Sequence, residues 1–397
     1  MEKKNIKMIA AFSAVPYIMV LGNSMLIPEF PQIKAALNLT QFQVGLFITV
    51  FSISAGLAIP ILGYICDKIG RLKVIIPSLI VYGLGGVICG LAAVFISKPY
   101  NIMLIGRAIQ GIGAAGTAPI VMALIGDVFQ SEKRSEVLGI IESANGIGKV
   151  TSPILGSLIG LISWKALFFF YAFLSIPIAI AVHIWGEEDD DKRKKNGSYL
   201  NNIKKIITQK GFSLISAILS GMLVLFILFG FLSFFSDLLE NKYEIKGLYR
   251  GAVIAIPILF MSLTSYINGV VLKNKNKYYK YVVMTGLLFT SISLFILNFI
   301  TSLIPYVAVF TLSGIGAGLV LPAVNTLVTS STKSKQRGII TAFYGSARFT
   351  GVALGPPVFS ALEKIGLNYM YIGSSLISAL ILIIATIFLK EKNMKPE

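Results

Sequence analysis

The chain has 397 residues, of which 55% are apolar and only 13% charged, and its mean hydropathy is +0.80. A soluble domain carries about 25% charged residues, so this composition excludes an ordinary soluble enzyme and a disordered chain alike. The remaining charges, 35 Lys and Arg against 18 Asp and Glu, leave a net +17; on so apolar a chain they read as the cationic loops of an integral membrane protein, not as a nucleic-acid face.

The N-terminus, Met1 to Lys7, is short and basic and runs straight into an apolar stretch without a small-residue cleavage site. It reads as a first membrane span and not as a removed signal peptide. Crossing a bilayer takes about 20 apolar residues. On that measure the expected spans are 8–28, 42–65, 74–97, 100–127, 136–161, 165–185, 211–236, 249–272, 281–300, 303–331, 338–362 and 366–389. An even count puts both termini on one side. With the termini in the cytoplasm, the opposite loops hold only Lys34, Lys98, Lys165, Lys242, Lys246, Arg250 and Lys364, while Arg107, Lys149 and Arg348 fall inside spans. The other 25 Lys and Arg then lie on the cytoplasmic side, which sets that orientation.

The single long polar segment, 187–210, opens Glu187-Glu188-Asp189-Asp190-Asp191 and continues into Lys192-Arg193-Lys194-Lys195. Such a charge block reads as a solvated linker. It divides the chain into six-span bundles at 1–186 and 211–397. A shift of 203 residues lays the second half on the first: Gly111-Ile112-Gly113-Ala114 on Gly314-Ile315-Gly316-Ala317, Pro119 on Pro322, Arg134 on Arg337, and Gly148 and Pro153 on Gly351 and Pro356. The two bundles are therefore expected to be copies of one unit around a central cavity, an all-α architecture of twelve membrane helices. Two cysteines and one histidine cannot build a disulfide framework or a Cys/His zinc site, so no metal or cofactor is expected.

Four motifs carry more specific information. Between spans 2 and 3 the chain reads Gly63-Tyr64-Ile65-Cys66-Asp67-Lys68-Ile69-Gly70-Arg71-Leu72-Lys73. Gly63 permits close helix approach, and Asp67 at a helix end can pair with Arg71 or a backbone N–H. Span 1 ends Leu21-Gly22, then five residues, then Pro28-Glu29-Phe30-Pro31; the prolines stop the helix, and Glu29 is either a functional acid or an exposed acid at a capped end. Span 4 holds Arg107-Ala108-Ile109-Gln110-Gly111-Ile112-Gly113-Ala114-Ala115. Arg107 lies about 10 Å inside the membrane, counted from Tyr100, where a charge needs a cavity or a partner. Span 5 contains Glu142, Asn145, Gly148, Lys149, Pro153 and Gly156, and span 11 contains Arg348, Gly351, Gly355 and Pro356. Neither the Gly111–Gly116 run nor Gly148-Lys149 has the strand or the residues that nucleotide binding needs.

These elements resemble, in order, the GxxxDRxGRR, LGxxxxxPxxP, RxxQGxGAA and GxxxGPxxGG signatures of the major facilitator superfamily and of its twelve-span drug:proton antiporters. Within that family, spans 5 and 11 look like YfmO-like multidrug efflux proteins. Departures are Lys68 for Arg, Ser152 for Gly before Pro153, Ser157 for the last Gly, and Phe359 in span 11. The resemblance implies a conformational latch of Gly63, Asp67, Lys68, Gly70 and Arg71 with Asp127 as the partner of Arg71. It implies helix bends at Gly148, Pro153, Gly156, Gly351, Gly355 and Pro356. It also implies efflux of small amphipathic compounds in exchange for protons, by a monomer in a bacterial plasma membrane.

The residues themselves place a substrate cavity at Asn23, Arg107, Gln110, Asn145, Lys149, Asn325, Tyr344 and Arg348, and proton coupling at Glu142 and Glu29. Glu142 is expected to be the one deep carboxylate. A charge pair of Glu142 and Lys149 that only locks the bundle is the alternative. Tyr17, Phe231, Phe234, Phe235 and Tyr344 are candidates for stacking on a flat substrate. Three deep cations against one deep acid favour neutral or anionic compounds, so an exporter of one metabolite such as a siderophore stands beside multidrug efflux, as does a proton symporter. A membrane enzyme would need a cluster of His, Asp or Cys, and a sensor a larger soluble domain.

Overall fold

The structure, a computed structural model, describes residues 3–129, 131–188, 199–272, 278–332, 337–390 and 394, without the side chains of residues 3–5, 126–127, 131–135, 199–210 and 337. Residues 189–198 of the expected linker, and the side chains of Asp127, Arg134 and Arg337, lie outside the described residues.

The described chain is helical from end to end. In order it forms α1 (Lys3–Ser24), a 3-10 turn (Ile27–Glu29), α2 (Phe30–Leu37), α3 (Gln41–Ile69), α4 (Leu72–Phe95), α5 (Tyr100–Ala115), α6 (Ala118–Val128) and α7 (Ser131–Gly160). There follow α8 (Ala166–Trp185), α9 (Tyr199–Asn241), α10 (Gly247–Val271), α11 (Tyr279–Leu297), α12 (Leu303–Ser330), α13 (Arg337–Ile365) and α14 (Leu367–Phe388). Ten stretches are long and apolar enough to cross a bilayer, with α1 to α2 counting as one (Ile6–Leu37) and α5 to α6 as another (Tyr100–Ile125). The two further long helices, α7 and α13, carry Glu142, Lys149 and Arg348 and so fall short on apolarity alone. Twelve membrane helices result among the described residues.

Two boundaries differ from the sequence expectation. The first span does not end at residue 28: Pro28 opens the 3-10 turn and Pro31 the first turn of α2, positions that need no N–H partner, so the rod continues to Leu37. The segment before residue 211 is not all linker: α9 starts at Tyr199 and breaks at Gly211, whose φ of 53° is one that glycine adopts without penalty.

The chain divides into two compact units, residues 1–40, 46–197 and 247–251 in the first, and residues 41–45, 198–246 and 252–397 in the second. Inside the first, α1 packs on α7, and α4 packs on both α5 and α8. Inside the second, α9 packs on α13, and α11 packs on both α12 and α14. Each of these pairs is the 203-residue image of its counterpart, so the repeat read from glycines and prolines is a repeat of packing.

Small residues explain the closeness of the pairs. A side chain at Gly148 would press on the Tyr17 backbone, and one at Gly351 on the Met222 backbone. About two turns farther the pattern inverts. Gly156 lies against the Met25 backbone in the first unit, whereas in the second the bulk is on α13 and the glycine on α9, with Phe359 filling the space left by Gly230. The small residue that permits the approach changes helix between the units, as close packing allows. Phe359, a departure from the family signature, is therefore a compensated one.

Candidate functional site

In the first unit the buried polar residues gather around Arg107 on α5. Its guanidinium is wholly buried, donating from Nε to the Phe47 carbonyl at 3.0 Å, from Nη1 to Gln110 Oε1 at 2.6 Å and from Nη2 to Asn23 Oδ1 at 2.6 Å. The ring of Phe51 covers it at 4.4 Å, a cation–π contact that strengthens when desolvated. Asn23 in turn donates to Ser52 Oγ at 2.9 Å. Neutral dipoles and one π face thus hold the charge, and one turn of α5 presents both Arg107 and Gln110 to them. The end of α1 beside this network is satisfied by two tyrosines: Tyr82 donates to the Ile18 carbonyl at 3.1 Å, and Tyr171 to the Gly22 carbonyl at 3.3 Å. Helix ends inside apolar surroundings need such partners.

The acid of the first unit is Glu29. Its side chain is 0% exposed, and Arg250 Nη2, on the first turn of α10, lies 3.5 Å from its Oε1 with an exposure of 1%. Space for the carboxylate comes from Gly160 at the end of α7, where any side chain would collide with it. Glu29 is therefore not the exposed acid of a capped helix end: it is buried, whereas Glu142 is exposed on α7. Arg250, counted with the loops from sequence, is buried too. Residue spacing could not reveal this, because the turn that folds Glu29 inward follows a proline that read as an exit.

Asn145 and Lys149 are half-buried on α7, on the face that also carries Glu142. In the second unit, Tyr344 is buried on α13, and the guanidinium of half-buried Arg348 lies 5.7 Å from its ring centre. Asn325 is exposed on α12. The structure therefore brings Asn23, Arg107 and Gln110 together in one unit and Tyr344 with Arg348 in the other.

The aromatics expected to stack on a substrate are mostly core. Phe231, Phe234 and Phe235 are buried, and Phe231 packs on Phe310 at 4.2 Å and Tyr306 at 6.1 Å. Phe310 is the 203-residue image of Arg107. One unit centres on a polar network where the other centres on aromatic rings. Tyr17 remains half-buried, and its hydroxyl lies 3.2 Å from Thr151 Oγ1.

At the expected latch, Lys68 is exposed with its Nζ 4.5 Å from the Tyr64 ring centre, and the Cys66 thiol donates to the Gly63 carbonyl at 3.1 Å. The partner that the sequence did not reveal is Glu188. Its carboxylate accepts from the backbone N–H of Arg71 at 2.7 Å and of Leu72 at 3.0 Å, so it caps the N-terminus of α4. Carboxylates favour that end of a helix dipole. Gly70, at φ 108°, makes the turn and leaves room for the carboxylate. Glu188 had been read as part of a solvated charge run, and only the fold returns it to the loop between α3 and α4.

Twelve membrane helices in duplicated six-helix units, with charges buried inside spans and the loop signature between α3 and α4, define a polytopic transport protein. A profile of the Major Facilitator Superfamily matches residues 16–356 and 251–397. The chain belongs to that superfamily, and so is a multi-pass transporter of the bacterial cell membrane, handling small molecules, and not an enzyme. It is 42% identical over 398 residues to the bacillibactin exporter of Bacillus subtilis (strain 168), covering 98% of this chain and 99% of that one. It is 26% identical to multidrug resistance protein 1 of the same organism, over 94% of this chain and 93% of the relative. Among solved structures, a D-xylose–proton symporter matches over 100% of both chains with a TM-score of 0.79 at 14% identity. An inward-facing bacterial homologue of the lysosomal transporter Spinster matches over 98% of this chain and 97% of that chain, with a TM-score of 0.74 at 16% identity. These two likenesses speak for the fold.

Proposed function

We propose that the protein exports an anionic metabolite of the siderophore class, bacillibactin or a compound close to it, in exchange for protons. The observation that carries this reading is the 42% identity over essentially both full lengths with a bacillibactin exporter. The charge pattern supports it: Lys149 and Arg348 are half-buried cations on membrane helices, and half-buried cations suit an anionic substrate. Both termini are cytoplasmic in this reading, and the protein works as a monomer.

Work comes from the proton gradient. One pH unit is worth about 1.4 kcal/mol per proton, and 100 mV about 2.3 kcal/mol per charge, enough for one or two protons to sustain a steep substrate gradient. Glu29 and Glu142 are the acids that carry them. Glu29 recommends itself by its burial beside Arg250, and Glu142 by its place on the helix face of Asn145 and Lys149.

Everted membrane vesicles provide the test. Bacillibactin uptake that rises with an inside-acid gradient, collapses with a protonophore and releases protons from the lumen is the expected result. Parallel flow of protons and substrate means symport. Uptake of lipophilic dyes without bacillibactin favours the second reading, broad multidrug efflux, which the 26% identity to multidrug resistance protein 1 keeps in play.

A further inference from the structure

We infer that Tyr344 and Arg348 on α13 form an oxyanion-binding subsite within the second unit, one that receives a carboxylate or phenolate group of the substrate. This rests on the proposal that the exported compound is an anion, and it identifies where one anionic group docks.

The first observation is a buried hydroxyl with nothing to bond. Tyr344 is 1% exposed, and its hydroxyl has no hydrogen-bond partner among the described residues. The place it occupies is made for it: a side chain at Gly221 on α9 would collide with the hydroxyl. A phenylalanine would fill the same ring position without an idle donor, and a buried polar group left unmade is costly. The hydroxyl awaits a partner that the described residues do not supply.

The second observation is one helical turn farther on. Arg348 follows Tyr344 by four residues, so both side chains share a face of α13. Its Nε is buried without a hydrogen-bond partner, and among the described residues no carboxylate pairs with its guanidinium. Its contact is the face of the Tyr344 ring at 5.7 Å. Arg348 lies eleven residues into the helix, about 16 Å from Arg337 along the axis. A cation at that depth without a counter-ion is costly and marks a functional position.

The chemistry of the pair selects the ligand. Arginine offers donors only, in a planar fork that matches two oxygens of one anionic group, and the tyrosine O–H adds a third donor. A neutral amide or an ammonium compound cannot satisfy this set. The guanidinium lies over the ring of Tyr344 at 5.7 Å, which keeps the two donors side by side.

Salicylate, a small oxyanion, and salicylamide, its neutral counterpart, are the probes for purified full-length protein followed by thermal denaturation. Salicylate is expected to raise the melting temperature of the wild type and salicylamide to leave it unchanged. Arg348→Gln should abolish the salicylate shift and raise the melting temperature of the ligand-free protein, because it removes an uncompensated charge; a merely structural arginine would lower it. Arg348→Lys should keep a reduced shift, and Tyr344→Phe a weakened one. In vesicles, Arg348→Gln should raise the KM for bacillibactin about tenfold with kcat retained. An unchanged salicylate shift in Arg348→Gln, or no shift in the wild type, overturns the subsite. If the wild type ignores bacillibactin yet shows the salicylate pattern, the named substrate falls and the subsite stands.

Discussion

Glu29 and Arg250, 221 positions apart in sequence, meet at 3.5 Å with side chains 0% and 1% exposed. The acid sits on a 3-10 turn between two prolines, and the base on the first turn of α10, of which only residues 247–251 belong to the first unit. Removing one member leaves a buried charge without its counter-ion. Glu29→Gln or Arg250→Met alone should therefore cost about 3–5 kcal/mol of stability, and the double variant should recover most of the loss. Thermal denaturation in detergent reads this directly; single variants as stable as wild type would mean that the pair holds nothing.

Glu29→Gln and Glu142→Gln separate the two candidate proton carriers. Each should abolish export driven by a pH gradient while leaving exchange of substrate down its own gradient intact. A variant that exports normally under an imposed pH gradient removes its residue from the coupling.

The network at Arg107 should be intolerant of conservative change. Lysine cannot reach the Phe47 carbonyl, Gln110 and Asn23 at once, as the guanidinium does. Arg107→Lys should lower stability and transport together, and Asn23→Ala should cost about 1–3 kcal/mol by leaving a buried donor unmet. Parallel denaturation and vesicle uptake measure both.

Glu188→Ala should cost about 1 kcal/mol through loss of the α4 cap. It should also slow the transport cycle without altering which compounds are carried. Arg71→Ala should likewise slow cycling with the substrate spectrum unchanged. An altered spectrum in either variant contradicts a latch at this loop.

Glycine replacements should sort by what each side chain would meet. Gly156→Ala presses on the backbone of Met25 and Gly351→Ala on that of Met222, and each should cost about 1–3 kcal/mol. Gly373→Ala meets nothing and should be neutral or mildly stabilising. Equal effects at all three would refute the close-packing account of the α1–α7 and α9–α13 pairs.

Much of this molecule was legible in one dimension. Apolar length marked the membrane helices, glycine and proline spacing exposed the duplication, and the signature residues carried the family, because each of these properties is local. Gly148 and Gly351 were visible in the sequence, but which helices they approach, α1 and α9, came only from the fold. Asn23, Arg107 and Gln110 meet in one hydrogen-bonded network, and only the pairing of Arg107 with Gln110, one turn apart on a single helix, could be read from spacing.

Burial and partnership were decided only by the tertiary structure. Sequence left Glu29 as a functional acid or an exposed one and counted Arg250 with the loops, yet folding buries both; it offered Phe231 and Phe235 as candidates for stacking on a substrate, yet they pack into the aromatic core around Phe310. Glu188 read as part of a solvated run, but it caps a helix that begins 116 residues earlier. Whether a charge meets solvent, lipid or a counter-charge depends on groups brought together from distant parts of the chain. Electrostatic energy depends on distance through space, and spacing along the sequence does not encode that distance.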